Sequence, residues 1–279
     1  MSVTNIRGQI ARRIGSTNAR RIVNRPLVLR TVVAGTALLV AIAVSPCPAR
    51  ATSETFQRTY AFARGGTFQL QNVNGSVQVE GWARNEVQVR AVKTSAAAQS
   101  ELDRVRIDVQ SRPGTIAVRT LYPSSEGAEI AVEYHIYVPY RILLGSVQTV
   151  NGSVRVRGIE GRGELRSVNG NVEVLDSAGR FSARTTNGNL RLELRKLLDG
   201  APMDIETVNG SVVLGLPANA RADLRILSMN GDFHSDLPVS ASARLPLRGL
   251  RVKLGAGGGE ISLRTINGGI RLVREHPGI

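Results

Sequence analysis

Hydrophobic and polar residues alternate around seven Asn-Gly pairs that recur along most of the chain. An apolar residue lies four positions before each asparagine, and a small polar residue lies two positions before it. Apolar residues return three positions after each asparagine and, around six of the seven pairs, five positions after it. This spacing of two predicts two β-strands, each with one buried face, joined at the pair. The pairs are Asn74-Gly75, Asn151-Gly152, Asn169-Gly170, Asn187-Gly188, Asn209-Gly210, Asn230-Gly231 and Asn267-Gly268.

The central pairs recur at a nearly constant interval, because successive asparagines from Asn151 to Asn230 are 18, 18, 22 and 21 residues apart. A fixed period near this length is typical of repeat architectures. Asparagine and glycine both tolerate positive φ, so each pair suits a sharp turn. Each turn is either a corner of a β-solenoid or the loop of an antiparallel hairpin meander or β-sandwich. The constant period favours the solenoid, in which like residues stack and asparagine ladders stabilise neighbouring coils.

The last interval, from Asn230 to Asn267, is close to two periods, and Arg248-Gly249 near its midpoint is a candidate degenerate corner. Asn-Gly pairs are absent between Asn74 and Asn151, but the alternation of strands continues there. Few aromatic residues and little helix-like periodicity place the chain in the all-β class. Residues 52–145 are therefore predicted to form irregular first coils or an N-terminal cap, and residues 146–279 the repeat coils. The strands predicted between the first two pairs are Val87–Val92, Val105–Val109, Thr115–Arg119 and Ile130–Val138.

Residues 1–51 have the pattern of a secretory signal peptide with a long basic region. This segment contains eight arginines and no acidic residue, followed by an uncharged apolar stretch and a small-residue site that ends at Ala51. Cleavage after Ala51 is the expected outcome, with export to the periplasm or the cell surface. The alternative is an uncleaved anchor in the inner membrane formed by residues 31–48. The uncharged residues 31–44 are fewer than the ~20 that span a bilayer, so cleavage is favoured.

The net charge of the exported part is much smaller than that of the whole chain. Eight of the 36 basic residues lie in the leader, so residues 52–279 retain 28 basic and 22 acidic residues, a net charge of +6. The chain's one cysteine, Cys47, also lies in the leader. The exported domain therefore has no disulfide, and its stability must come from stacking and burial.

Two stretches superficially suggest ligand or metal chemistry. The segment Gly255–Gly259 resembles a phosphate-binding loop, but a strand rather than a helix is predicted after it, so a glycine-rich turn is expected. Asp232, His234 and Asp236 alternate on one strand face, where a solvated surface is a commoner arrangement than a metal site. The sequence therefore predicts no cofactor, no metal site and no catalytic residue.

Arginines occupy the predicted outward-facing positions of the strands. Such a stripe could bind an anionic polymer, but glutamates lie between the arginines, which favours a mixed solvated surface. A nucleic-acid partner is not expected, because no recognised motif is present and aromatic residues are few. The single tryptophan, Trp82, is interpreted as a packing residue rather than an interface anchor. The arginines are Arg155, Arg157, Arg166, Arg184, Arg191, Arg195 and Arg271.

Several stretches resemble a bacterial family, the putative adhesin domain of unknown function of the toast-rack type. They are Val73–Val77, Val79–Trp82, Tyr137–Pro139 and Gly257–Gly268, together with the tandem Asn-Gly coils. The similarity covers about residues 56–273. It implies a right-handed single-stranded β-helix on an exported protein, linked to adhesion or to envelope-stress sensing. The resemblance brings no catalytic residues with it.

The sequence thus predicts an exported, non-enzymatic β-helix that presents an adhesin-like interaction surface or an envelope-sensing surface. Its expected partner is an envelope or surface ligand, either a protein or an anionic polymer. The first alternative is an enzyme that acts on envelope polysaccharide, which would need clustered carboxylates. The second alternative is a structural spacer of the envelope. Membrane contact is expected only through the N-terminal segment, if it remains uncleaved.

Overall fold

The computed structural model describes residues 52–95, 99–123, 130–198, 202–245 and 249–275. In this part of the chain, twenty strands form one hydrogen-bonded sheet, accompanied by a single helix, α1 (Gln99–Leu102). The leader and its predicted cleavage site at Ala51 lie outside the described residues. No helix within the described ranges has the length and hydropathy that a membrane span requires.

Each repeat unit, here called a coil, consists of one strand before a corner and one strand after it. Coils stack in parallel, so strands of like position pair with one another along the stack. Strand β11 (Val172–Asn187) belongs to two coils, because its first half follows one corner and its second half precedes the next. The strands before the corners are β2 (Thr67–Gln71), β6 (Thr115–Leu121), β8 (Arg141–Gln148), β10 (Glu160–Arg166), β11 (Val172–Asn187), β13 (Met203–Asn209), β15 (Ala222–Asn230) and β19 (Glu260–Asn267). The strands after the corners are β3 (Val77–Trp82), β7 (Ile130–Pro139), β9 (Val154–Arg157), β11, β12 (Leu190–Leu197), β14 (Val212–Leu216), β16 (Phe233–Ser235) and β20 (Ile270–Arg274).

The all-β solenoid is confirmed, because neighbouring coils run parallel through every described Asn-Gly corner. The isolated bridges Asn74–Asn151, Asn151–Asn169 and Asn169–Asn187 are all parallel. Parallel pairing continues from β13 to β19 and from β19 to β15. A hairpin meander would require antiparallel strands at these positions.

Coils at both ends of the stack do not follow chain order. At the C-terminal end, β19 lies between β13 and β15, and β20 lies between β14 and β16. The last coil of the chain is therefore inserted between two coils that precede it. At the N-terminal end, β2 lies between β6 and β8, and β3 lies between β7 and β9. The coil formed by β6 and β7 is consequently the outermost one at that end.

Antiparallel strands cover much of the two ends of the stack. At the N-terminal end, β4 (Glu86–Ser95) pairs with β7, β1 (Thr52–Ala61) pairs with β4, and β5 (Arg106–Arg112) pairs with β6. At the C-terminal end, β18 (Gly249–Leu254) pairs with β15 and with β17 (Val239–Leu245). Such cover protects sheet edges from pairing with other chains. The predicted degenerate corner at Arg248-Gly249 is wrong, because Gly249 begins the antiparallel strand β18; Arg248 lies outside the described residues.

The interior of the stack is filled by rows of aliphatic side chains. The row three positions after the asparagines is at most 1% exposed in six coils, and Phe233 continues it as a half-buried residue in the outermost C-terminal coil. Each such side chain contributes about 1.5–3 kcal/mol through its burial. In β7, the alternate residues from Ile130 to Val138 are buried, as their period of two predicts. The six fully buried residues of the row are Val77, Val154, Val172, Leu190, Val212 and Ile270.

Candidate functional site

The seven Asn-Gly pairs lie at one corner of the stack, where their side chains form a continuous ladder, here called the amide ladder. Each asparagine except Asn74 donates its side-chain N–H to the side-chain oxygen of the next asparagine toward the N-terminal end, at distances of 2.7–2.9 Å. Asn267 occupies the sixth place, so the ladder follows the spatial order of the coils rather than the chain. The order is Asn74, Asn151, Asn169, Asn187, Asn209, Asn267 and Asn230.

The glycine of each pair is required by close stacking, and at Gly75, Gly152, Gly210 and Gly268 the expected positive φ is a second reason. A Cβ atom added to Gly170 would lie 2.1 Å from the carbonyl oxygen of Gly152, and the other six glycines of the corner have equivalent contacts at 2.0–2.2 Å. Among the described residues, Asp176 is the only non-glycine residue with positive φ. The corner asparagines therefore do not use the positive φ that asparagine tolerates. These asparagines are needed for the amide ladder instead.

A second ladder, here called the hydroxyl ladder, lies beneath the corner and is formed by the small polar residues two positions before each asparagine. These residues are 1–6% exposed. In five coils the hydroxyl donates to the glycine carbonyl of the neighbouring corner at 2.8–3.1 Å, as Thr185 does to Gly170 at 2.8 Å. Thr149 makes the same bond to Gly75 at 3.0 Å. The hydroxyl ladder therefore satisfies carbonyl groups that would otherwise be buried without a partner.

A buried polar cluster replaces this hydroxyl at the N-terminal end. Asn72 donates to the carbonyl of Val132 at 2.9 Å and accepts from Thr120 at 3.0 Å. The Thr120 hydroxyl also shares a hydrogen bond of 2.6 Å with the hydroxyl of Tyr134. Burial raises the pKa of the Tyr134 phenol, and burial likewise raises the pKa of Tyr122, which donates to the carbonyl of Asn74 at 3.1 Å.

An exposed apolar row accompanies the amide ladder, one position before each asparagine. Val73, Val150 and Val168 are large hydrophobic residues, yet they lie on the outer surface and are 37–40% exposed. Met229 and Ile266, in the two C-terminal coils, are 44% and 41% exposed. The other two positions of the row hold Thr186 and Val208. Sequence reasoning missed this row, but a signal was present: six of the seven outward positions beside the corners are apolar.

A groove runs across the strands between this apolar row and the outward residues three positions before the asparagines. Its floor is the backbone of the buried residues between the two rows. One segment, of about 570 Å³, extends from Gln71 to Val208, and an adjoining segment of about 450 Å³ extends from Glu206 to Met229. The groove therefore crosses the coils along the stack, on the face formed by the strands before the corners, here called the pre-corner face.

Arginines dominate the wall of the groove opposite the apolar row. Arg166 pairs with Glu164, and Arg184 lies 3.6 Å from Glu206 and 3.7 Å from Asp204. Within the described ranges, no ion pair joins the other three lining arginines to a carboxylate. Those three are Arg119, Arg225 and Arg264.

The other predicted arginines lie on the opposite, post-corner face, formed by the strands after the corners. Arg155 pairs with Glu173 at 2.7 Å and Arg195 with Asp176 at 3.0 Å, while Arg191 pairs with Glu193. These pairs fit the expected mixed solvated surface. Only Arg166 and Arg184, of the seven predicted arginines, line the groove. The remaining post-corner arginines are Arg157, in β9, and Arg271, in β20.

The other sequence candidates are separate from the groove. Gly255–Gly259 forms the turn between β18 and β19, and the N–H of Gly258 donates to a carboxylate oxygen of Asp223 at 3.2 Å. His234 makes a 3.0 Å contact with Asp236 on an exposed strand, and no group of three or more potential metal ligands occurs among the described residues. Trp82 stacks on Tyr137 with ring centroids 5.2 Å apart.

A comparison with solved structures gives matches that cover most of this chain at low sequence identity. A putative cell adhesion protein from Clostridium sporogenes aligns with 79% of this chain and 100% of its own, at 10% identity and a TM-score of 0.47. A putative adhesin from Bacteroides fragilis covers 79% of this chain and 97% of its own, at 9% identity and a TM-score of 0.39. A putative lipid binding protein from Parabacteroides distasonis covers 80% and 97%, at 10% identity and a TM-score of 0.25.

Comparison with curated proteins gives no significant match. The family comparison is decisive, because one family model matches residues 64–272, which is most of the chain and nearly all of the stack described above. The match confirms the resemblance expected from the Asn-Gly coils and the flanking stretches. This chain belongs to the Toastrack DUF4097 family.

Proposed function

We propose that this protein is an exported, non-enzymatic binding protein whose ligand is an acidic polysaccharide of the cell envelope. The observation that supports this proposal is the groove on the pre-corner face, which has exposed apolar side chains on one side and arginines on the other. The ligand lies along the groove and crosses successive coils.

The repetition of the groove favours a polymer over a small molecule. Neighbouring strands are about 4.8 Å apart, so an extended chain that crosses them meets the same rows of side chains at each coil. Sugar rings have an apolar face that can pack on Val150, Val168 and the other residues of the apolar row. Extended, repetitive surfaces of this kind are the usual binding surfaces of solenoid proteins.

The charge of the groove favours an acidic ligand. Five arginines line it, whereas Glu206 is the single carboxylate among the lining residues. The exposed guanidinium groups of Arg119, Arg225 and Arg264 are available for paired hydrogen bonds to carboxylate or sulfate groups. A neutral polysaccharide would leave these cations without a counterpart.

The same lining argues for binding without catalysis. Glycoside hydrolysis normally uses two carboxyl groups on either side of the scissile bond. Glu206 has no second carboxylate in the described lining of the groove. Export is supported by the basic and apolar pattern of residues 1–51. Mature protein that begins at Thr52, found by N-terminal sequencing outside the cytoplasm, is the expected result.

Binding of the purified protein to acidic and neutral polysaccharides of similar length tests the ligand class. We expect calorimetry to detect binding of the acidic polymer only, with an affinity that falls as salt is added. Replacing both Arg225 and Arg264 with glutamine should weaken binding by about tenfold or more, which is the effect of losing ~1.4 kcal/mol. The matched control is Arg271→Gln, which removes an exposed arginine from the post-corner face.

Equal weakening by the double variant and by the Arg271→Gln control would contradict the assignment of the groove. Equal binding of acidic and neutral polymers would contradict the role of the arginines. Binding to anionic phospholipid vesicles without any binding to polysaccharide would replace the proposed ligand class with a lipid. Depolymerisation of the bound glycan would contradict the non-enzymatic role.

A further inference from the structure

Asparagine followed by glycine is the dipeptide most prone to spontaneous deamidation, because glycine leaves its backbone nitrogen unhindered. This protein has seven such pairs at one exposed corner. The reaction requires the glycine nitrogen to lose its proton and approach the side-chain carbonyl carbon of the asparagine. A glycine N–H that is held in a hydrogen bond must first be released by local opening.

Hydrogen bonds between neighbouring coils hold six of the seven glycine N–H groups. The N–H of Gly75 donates to the backbone carbonyl of Asn151 at 2.8 Å, and the N–H of Gly170 donates to that of Asn187 at 3.0 Å. The same bond recurs for Gly152, Gly188, Gly210 and Gly268, at 2.9–3.3 Å. In each case the acceptor is the asparagine of the next coil toward the C-terminal end of the stack.

Gly231 is different because it lies in the outermost C-terminal coil. Strand β16, which follows it, pairs with β20 on one side, and no carbonyl among the described residues accepts from the Gly231 N–H. Gly231 is also the only exposed glycine of the seven; the other six are half-buried under the next coil. The lack of a described acceptor for the Gly231 N–H and the exposure of Gly231 therefore both distinguish Asn230-Gly231 from the other six pairs.

We infer that Asn230 is a deamidation site, and that the stack protects the other six Asn-Gly pairs from the same reaction. The Gly231 nitrogen, after loss of its proton to solvent, attacks the side-chain carbon of Asn230. A carbon–nitrogen bond forms, and the side-chain nitrogen leaves as ammonia, which gives a succinimide. Water then opens the ring to aspartate or isoaspartate. The net change consumes one water, releases one ammonia and involves no oxidation.

The modification removes the terminal bond of the amide ladder. Asn230 donates its side-chain N–H to Asn267 at 2.8 Å. A carboxylate has no N–H to donate, and its charge faces the acceptor oxygen of Asn267. Deamidation therefore loosens the outermost coil while the rest of the ladder keeps its bonds.

Peptide mass spectrometry of the folded protein, incubated at mildly alkaline pH, tests this inference at all seven sites in one sample. We expect Asn230 to convert at least about tenfold faster than any other Asn-Gly pair, the factor that corresponds to an opening free energy of ~1.4 kcal/mol. In denaturant, where no glycine N–H is held, all seven should convert at similar rates. The Asn230→Gln variant, which keeps the amide but lengthens the side chain, should show no conversion at position 230.

Conversion at Asn230 no faster than at the other six pairs of the folded protein would overturn the inference. Faster conversion at a pair whose glycine N–H is bonded, such as Asn169-Gly170, would also overturn it. The readout does not depend on any ligand, so failure of the proposed binding function leaves this test unaffected.

Discussion

Asn267 donates its side-chain N–H to Asn209 at 2.7 Å, from a coil that lies 58 residues further along the chain. Asn230, which follows Asn209 in sequence, donates instead to Asn267 at 2.8 Å. The last coil of the chain thus separates two coils that are consecutive in sequence. Each asparagine between the two ends of the ladder donates one bond and accepts one bond, which makes the ladder a chain of linked contacts rather than a set of isolated pairs.

Loss of a central ladder residue should destabilise the protein more than loss of a terminal one. Asn187→Ala removes two side-chain bonds, to Asn169 and from Asn209, whereas Asn230→Ala removes one. At about 0.5–1.5 kcal/mol per bond, we expect the free energy of unfolding to fall by roughly 1–3 kcal/mol for the first and about half of that for the second. Urea denaturation measures both. A larger loss for Asn230→Ala would contradict the ladder.

The corner glycines should tolerate no added methyl group. In Gly170→Ala the new Cβ would lie 2.1 Å from the carbonyl oxygen of Gly152, so a loss of about 3 kcal/mol or more is expected. The control is Gly114→Ala, at a glycine with φ of +72° and open space around the Cβ position. It should cost about 1–2 kcal/mol, from backbone conformation alone. Thermal unfolding of the two variants compares them, and a cost at Gly170 no larger than that at Gly114 would contradict the role of close stacking.

Two adjacent threonines test the buried hydroxyl ladder. Thr185 is 5% exposed and donates to the carbonyl of Gly170, whereas Thr186 is exposed on the groove. Thr185→Val keeps the shape of the side chain but leaves a buried acceptor without its donor, and about 1–3 kcal/mol of stability should be lost. Thr186→Val should change stability by less than about 0.5 kcal/mol. Chemical denaturation checks both, and equal effects would disprove a role of the hydroxyl.

Stability should decrease above pH 10 because of the buried phenol of Tyr134. Burial raises its pKa in the folded protein, whereas in the unfolded chain it titrates near 10. The stabilising contribution is therefore complete below about pH 10 and declines as pH rises, by up to ~1.4 kcal/mol per pH unit for one group. Tyr134→Phe should lose stability less steeply over this range. Urea denaturation at several alkaline pH values measures the slopes, and identical slopes would exclude Tyr134 as the cause.

The local structure of each coil could be predicted from the sequence, but the order of the coils could not. Apolar residues at fixed distances from Asn169 and Asn187 predict both the strands and their buried face. The same pattern surrounds Asn267, so nothing local distinguishes its coil from that of Asn230, and the insertion of one beside the other depends on contacts between distant segments. The antiparallel strand β18 was missed for a similar reason, because Gly249 was interpreted by its spacing alone.

The groove could be predicted only in part. Arg166 and Arg184 were identified as outward-facing residues, but the groove also needs Arg119, which lies in an N-terminal strand without an Asn-Gly corner of its own in the sequence. That strand, β6, becomes a neighbour of β2 only because the first coils exchange places. A binding surface that crosses several coils depends on the spatial order of the coils. The periodic pattern within one coil gives no information about that order.

The insertion of the last coil has a consequence for how the protein matures. Strand β15 is synthesised before β19, yet its parallel partner in the stack is not in place until β19 has joined β13. The coil formed by β15 and β16 must therefore wait for β19 and β20, which follow it in the chain. After this step, the coil formed by β19 and β20 is held on both sides by segments made earlier.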